Sequence, residues 1–551
     1  MKFGKKALAA LLSLSLVLGA GLAGCAGKTE TKEGGKQAEV QMAKEQVIKY
    51  NLGADPETLD PAKATGAPEM TVLNALFEGL TRYDKDGKIA PGMAEKWEIS
   101  EDGTKYTFHL RDAKWSNGDP VTAKDFEYAW LRALDPKTAS DYAYQLYYLK
   151  NGEEYNSGKI TDPAQVGVKA IDDKTLEVTL KAPAPQFLGL TAFSTLYPVN
   201  KKAVEANPEA WFKNPETLIS NGPFKLKKWA AKQQIEVEKN PSYWDADTVK
   251  LSQVVFTLVE SADTELTMFK TGQIDIGNNP PTQELDNLKK DGSLKIGPQL
   301  TTYFYRFNVT RKPLDNPKVR KALALAIDRE AIVKNVTKAG QTPADAFVPF
   351  GFPDATPDKD FRKVGGSLIK TFDAEEARKL LAEAGYPDGK GFPEITILYN
   401  TNENHQKIAL AIQEMWKKNL GINVKLVNQE WKVYLKSQSN LDYDISRAGW
   451  GADYLDPMTF MDMFVTNGGN NNTGWSNPKY DELIKKANLE SDNAKRMEYM
   501  HEAEKILMDE MPIAPIYFYT HPYLMKDNLK DVVVPSFGPY FEFKWAWVAE
   551  K

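Results

Sequence analysis

Two hydrophobic rhythms alternate along most of this chain. Val47-Ile48-Lys49-Tyr50-Asn51-Leu52 is short and apolar and predicts a strand. From Pro68, the residues Met70, Leu73, Asn74, Phe77 and Leu80 recur at helical spacing. Tyr106, Phe108 and Leu110 alternate after the turn Glu101-Asp102-Gly103, and Leu176, Val178 and Leu180 alternate before Pro183 and Pro185. Between them Thr122 opens a helix carrying Phe126, Ala129, Trp130 and Leu134, with Asp125 placed to complete a capping box. Short strands are expected over 224–229, 234–239 and 254–259, then a helix over 262–270 and a strand-like Ile274-Asp275-Ile276. Asp373 caps a helix over 375–383 that Gly385 stops. Residues 395–398, a helix over 405–419 ended by Gly421, and residues 422–427 read as a strand-helix-strand unit. Amphipathic helices fit 479–489 and 493–508, and Ile516-Tyr517-Phe518-Tyr519 reads as a buried strand. Strands and helices interleaved in this way predict α/β lobes, not a barrel or a bundle. The run Asn467-Gly468-Gly469-Asn470-Asn471-Asn472 is expected to be a polar surface loop of structural role.

The first residues follow another logic. Lys2, Lys5 and Lys6 precede an apolar run from Ala7 to Val17, and small residues lead to Leu22-Ala23-Gly24-Cys25. That is the pattern of a secretory signal, too short to span a bilayer comfortably. Cys25 is the only cysteine in 551 residues. The leader resembles a bacterial lipoprotein signal, which implies that residues 1–24 are removed and Cys25 is lipidated. Residues 25–45, rich in alternating Lys and Glu, then form a flexible tether. The remainder is expected on the outer face of a cell membrane, held by lipid.

Composition narrows the function. The chain past the leader is longer than one hydrophobic core usually organises, so two or three lobes are expected. No later apolar run approaches the ~20 residues of a membrane helix. A net charge of −5 with mixed signs argues against nucleic acid, whose binders need a basic face. Four histidines (His109, His405, His501, His521) argue against a transition-metal centre, and no cofactor is implied. The 24 Tyr, 24 Phe and 12 Trp can fill cores and line a cleft as well. No nucleophile elbow, phosphate loop or zinc helix occurs. Asp442, Asp444, Asp453, Asp456 and Asp462 cluster, but aspartates near turns, as at Asp456-Pro457, are commoner than catalytic ones. The reading is capture of a ligand outside the cell, not catalysis.

Several blocks sharpen this: Ile445-Ser446-Arg447-Ala448-Gly449-Trp450-Gly451-Ala452-Asp453-Tyr454, Leu398-Tyr399-Asn400-Thr401 running to His405, Asn428-Gln429-Glu430-Trp431-Lys432, Asn221-Gly222-Pro223-Phe224-Lys225-Leu226, Asn240-Pro241-Ser242-Tyr243-Trp244-Asp245 and Ala113-Lys114-Trp115-Ser116-Asn117-Gly118. In this order and spacing, from about residue 47 to about residue 545, they resemble the oligopeptide-binding members of extracellular solute-binding protein family 5, which serve peptide ABC importers. The resemblance implies a two-lobed periplasmic-binding-protein-like α/β fold with an extra domain inserted in lobe I. Lobe I would be 46–77, 201–301 and 521–551, the inserted domain 78–200, and lobe II 302–520, with Val532–Val534 a strand of the final return. It implies an extended peptide enclosed between the lobes, with Asp453 on its α-amino group and Arg447 and His405 near its carboxylate. Asn400, Trp431, Trp450, Tyr519 and Tyr142 would line the cleft, together with Gly451, Ala452, Asn278, Asn279, Gly66 and Ala67. Read from the residues alone, Asp453 is a turn aspartate balanced by a cation such as Arg447, and His405 belongs to a first helical turn. The chain departs from the family at Thr65, Gly277 and Gln438, and a lysine of the family aligns with either Thr337 or Lys338. The implied partners are short peptides, permease and ATPase subunits, and a membrane through the lipid; the protein itself is expected to be a monomer. Alternatives are the same fold with another ligand (dipeptide, murein peptide, nickel or haem), or a peptide-signal receptor or chaperone.

Overall fold

An eleven-stranded sheet runs through the computed structural model, which describes residues 40–550. Its strands lie in the order Val424–Gln429, Ile395–Asn400, Ile445–Gly451, Leu294–Phe307, Ile513–Met525, Ile276–Gly277, Val47–Asn51, Gln253–Thr257, Gln234–Lys239 and Phe224–Ala230, with Thr342–Pro343 added beside Ile513–Met525. The mixed α/β character expected from the alternating rhythms is therefore present. Val47–Asn51 lies parallel to Gln253–Thr257, and Ile395–Asn400 lies parallel to Val424–Gln429, with the helix Glu403–Leu420 as the crossover. Gly421 ends that helix at φ 69°, a left-handed conformation that favours glycine.

Two long antiparallel strands, Leu294–Phe307 and Ile513–Met525, tie the halves of the sheet together. Their pairing is irregular between Pro298 and Thr302. Pro298 has no N–H to donate, so the ladder is weakest there. Beyond the break, Thr301 to Phe307 are buried on both faces, whereas Leu294 to Gln299 are half-buried or exposed.

A separate four-stranded antiparallel sheet (Ala94–Ile99, Lys105–Leu110, Thr175–Thr179, Val168–Ala170) packs with the helix Ala123–Leu134. The Thr122 side chain and Asp125 form the expected capping box. Residues from Met42 onward make one compact unit. Among the described residues, no helix is long and apolar enough to cross a membrane. The leader, Cys25 and the tether up to residue 39 lie outside the described residues.

Four expectations need correction. The helix over Ala67–Leu76 stops before Leu80, because Phe77 is extended (φ −127°, ψ 164°). Val532–Val534 is not a strand: only Val533 bridges, to Glu542, and the segment is half-buried loop. The Asn467–Asn472 run is not a surface loop, since Asn470 and Asn471 are buried and the Asn471 amide donates to the carbonyls of Phe464, Val465 and Trp475. Asp456 does more than start a turn, because it holds the buried guanidinium of Arg496 at 2.6 and 2.8 Å.

Candidate functional site

Where Ile445–Gly451 leaves its neighbours, the sheet opens a cavity. On one side this strand pairs with Leu294–Phe307 along its whole length. On the other it meets Ile395–Asn400 only through Ile445 and Ser446. Main-chain polar groups alternate sides along a strand. The Ala452 N–H donates to the Leu300 carbonyl at 2.9 Å, while the Arg447 carbonyl accepts from Tyr434 and Gln438 on the opposite side. The N–H and C=O groups of Gly449 and Gly451 therefore face the open side, without a strand to pair with. Such groups are obligatory hydrogen-bonding partners. Having no side chains, the two glycines leave room for another backbone to approach.

The cavity holds about 690 Å³, and all fourteen candidate residues line it: Gly66, Ala67, Tyr142, Asn278, Asn279, Asn400, His405, Trp431, Arg447, Trp450, Gly451, Ala452, Asp453 and Tyr519. They come from distant parts of the chain, which is why no local motif gathers them.

At one end lies Asp453, 5% exposed. Tyr142 and Gln145 donate to its two carboxylate oxygens at 3.2 Å each, and Thr459 adds a bond at 3.4 Å. Tyr142 also stacks on Trp450, ring centres 6.0 Å apart, and the Trp450 indole is fixed to the Thr459 carbonyl at 2.6 Å. Burial pushes the Asp453 carboxyl up to about 8, against the pull of those hydrogen bonds. The described residues offer it no cation. The reading of Asp453 as a turn aspartate balanced by Arg447 does not describe this geometry, because Arg447 reaches elsewhere. Its guanidinium donates to the Tyr519 hydroxyl at 2.6 Å and to Asn400 Oδ1 at 3.2 Å, and sits 4.8 Å from the Tyr303 ring centre. Arg447 has no carboxylate partner among the described residues, and its Nε is unbonded. The site thus carries a buried acid at one end and an unpaired cation further along, joined by free main-chain groups.

His405 stands beside Tyr303, Nδ1 to hydroxyl 3.4 Å, and burial followed by the nearby Arg447 charge holds its pKa well below the ordinary value. It is neutral at physiological pH and can offer a hydrogen bond but no charge. His405 does lie in the first turn of its helix, where its N–H donates to the Asn402 cap. Trp431 donates to Glu69 at 3.2 Å and stacks on Tyr434. Gly66 is there of necessity: a Cβ would lie 2.2 Å from Glu69 Oε2 and 2.8 Å from the Trp431 ring. Glu265 accepts from the Asn279 N–H at 2.7 Å, and His521 from the other side holds Asn278 at 2.7 Å. Of the ambiguous pair, Thr337 lines the cavity and Lys338 turns to Asp286 at 3.5 Å.

Sequence reasoning missed Glu69, Arg306, Asn470 and Asn472. Arg306 carried the one available signal, an arginine inside the apolar strand run Tyr303-Phe304-Tyr305-Arg306-Phe307.

The sequence profile of the bacterial extracellular solute-binding proteins, family 5 Middle, matches residues 88–472. The chain belongs to that family. It is 44% identical to the oligopeptide-binding protein OppA of Bacillus subtilis over 96% of this chain and 97% of that protein. Its fold matches Listeria monocytogenes OppA bound to peptide with a TM-score of 0.87 at 37% identity, covering 92% of this chain and all of the other. The murein tripeptide binding protein MppA of Escherichia coli gives a TM-score of 0.85 at 38% identity, covering 93% of this chain and all of the other. An unliganded open form of MppA gives only 0.62, at 37% identity and with 93% of this chain and 99% of that one covered. The family fold is two-lobed, and the arrangement of this chain is unlike that open form.

Proposed function

We propose that this protein is the extracytoplasmic substrate-binding component of a peptide ABC transporter, capturing short oligopeptides in the cavity and delivering them to a permease. The carrying observation is a buried Asp453 that has no cation among the described residues, at the end of a main-chain edge that none of the described strands pairs. A peptide supplies both missing parts. Its α-ammonium pairs with Asp453, and its backbone pairs with Gly449 and Gly451 whatever its side chains are. Arg447 takes the carboxylate of short ligands, with His405 beside it; Trp431, Trp450, Asn400, Tyr519, Tyr142, Asn278, Asn279, Gly66, Ala67 and Ala452 shape the walls. The protein acts by binding, not catalysis, as a monomer, and is anchored by lipid on Cys25.

Capture involves a hinge. The lobe boundaries implied by the family, at 301/302 and 520/521, fall at the irregular pairing between Pro298 and Thr302. Across the cleft run Lys432 to Asp55 at 3.1 Å, Trp431 to Glu69, and Tyr142 to Asp453. Opening would break these contacts, and a ligand bridging the walls would favour the closed state.

The deciding experiment is a titration of tri- and pentaalanine, free and N-acetylated, against wild type and Asp453→Asn. Removing one side of a buried ion pair costs about 3–5 kcal/mol. Each single change should therefore weaken binding strongly, and the two together should cost little more than one. If acetylation weakens Asp453→Asn as much as wild type, Asp453 is not the amine's partner.

A further inference from the structure

A second unpaired cation lines the same cavity, on the other face of the sheet from Arg447. Arg306 is 5% exposed and stands opposite Ser446 in the antiparallel ladder, on the face shared by Ala448 and Trp450. It makes two hydrogen bonds, to Gln438 Oε1 at 3.1 Å and to the Asn470 carbonyl at 3.2 Å, and its Nε has no partner. A guanidinium has five donors.

The other buried or largely buried arginines are compensated differently, although Arg82 Nε, Arg329 Nη2 and Arg362 Nε also lack a bond. Arg82, Arg132, Arg362 and Arg496 each hold a carboxylate. Arg320 and Arg329 are wrapped by main-chain carbonyls. Arg306 alone among these faces a cavity with neither. Burial lowers its pKa, but a guanidinium stays charged at neutral pH. An uncompensated buried charge is costly unless something pairs with it.

We infer that Arg306 is the floor of a side-chain subsite for a carboxylate, so that the protein prefers peptides carrying Asp or Glu at one position. This rests on the peptide-capture reading. Peptide side chains alternate faces as the strand's own do. A residue directed to the Ala448 face therefore reaches the Arg306 recess, while its neighbours point towards Arg447. Glu57 and Asp141 also line the cavity, but both are exposed, as is Lys436, so solvent screens them more than it screens Arg306.

The test is calorimetric titration of trialanine and pentaalanine, and of variants with Glu, Gln or Lys at each position in turn. A charge-assisted pair in a buried site predicts Glu over Gln at one position by on the order of ten- to a hundredfold, with Lys worst. The preference should vanish in Arg306→Gln. It should also vanish in Gln438→Glu, which keeps the arginine and gives it a carboxylate from within, so the inference stays testable if Arg306→Gln does not fold. Equal binding of Glu and Gln at every position, a preference for Lys there, or a Glu preference surviving in Gln438→Glu would each overturn it. If neither alanine peptide binds at all, the capture reading fails and takes this one with it; if they bind without charge preference, only this one fails.

Discussion

Peptide entering the closed form of the cavity should release a proton. With the cleft closed and no ligand in it, burial raises the Asp453 carboxyl to about 8. At pH 7 it is then about nine-tenths protonated, while a free peptide's α-amine, with a pKa near 8, is about nine-tenths charged. The ion pair needs the carboxylate and the ammonium together. Binding therefore expels about 0.9 proton from the protein and takes up about 0.1 on the peptide, a net release of about 0.8. The deprotonation costs about 1.4 kcal/mol at pH 7, and about ten times in affinity for each further unit downwards. From pH 7 to pH 5 affinity should fall close to a hundredfold, whereas a carboxyl of ordinary pKa would lose little. Above about pH 8 the peptide amine loses its own proton, so affinity peaks near there. Of the groups facing Asp453, Tyr142, Gln145 and Thr459 carry no charge, and burial followed by the Asp453 charge raises the neighbouring Asp462 well above its ordinary range. The assay is calorimetry at pH 7 in buffers of different ionisation enthalpy. Heats independent of buffer, or the same pH dependence in Asp453→Asn, would refute the reasoning.

Gly66→Ala should cost about 1–3 kcal/mol of stability and weaken peptide binding, because the new methyl meets Glu69 and Trp431; thermal melts and titration measure both. The stability of the closed, ligand-free form should fall from about pH 4 to about pH 8: Asp453, Glu69 and Glu265 (about 8, 7 and 7) keep protons that the unfolded chain has shed, so the native state is penalised as pH rises until they too ionise. The slope is about 1.4 kcal/mol per pH unit for each group still protonated, and melts of Asp453→Asn should show a shallower fall. Peptide added to ligand-free protein should reduce the radius of gyration in small-angle scattering and alter tryptophan emission; binding without either change would count against closure. Cys25→Ser should leave binding intact and move the protein out of the detergent phase.

Local rhythm carried the secondary structure well, because capping and alternation are local facts: Thr122 with Asp125, and the whole of Ala262–Lys270, sit where the pattern put them. It failed where tertiary contacts decide. Val532–Val534 has the composition of a strand but finds only one bridge, and the asparagine run is polar yet buried because Asn471 satisfies three carbonyls inside. The cavity itself was legible through family resemblance alone. Asp453 and Tyr142 are separated by 311 residues and meet only in the fold. Arg306 was passed over for the opposite reason: its signal, an arginine inside an apolar strand, looks like an interruption until its missing carboxylate is seen.

The unpaired edge at Gly449 and Gly451 has a cost in any protein that carries one. Open strand edges recruit other strands, and chains that expose them tend to stick to their neighbours. Here the edge sits at the bottom of a cavity walled by aromatic rings, so access is a matter of girth. Only a thin, unfolded segment fits. On the peptide-capture reading, the recess selects for unfolded chain before any side chain is read.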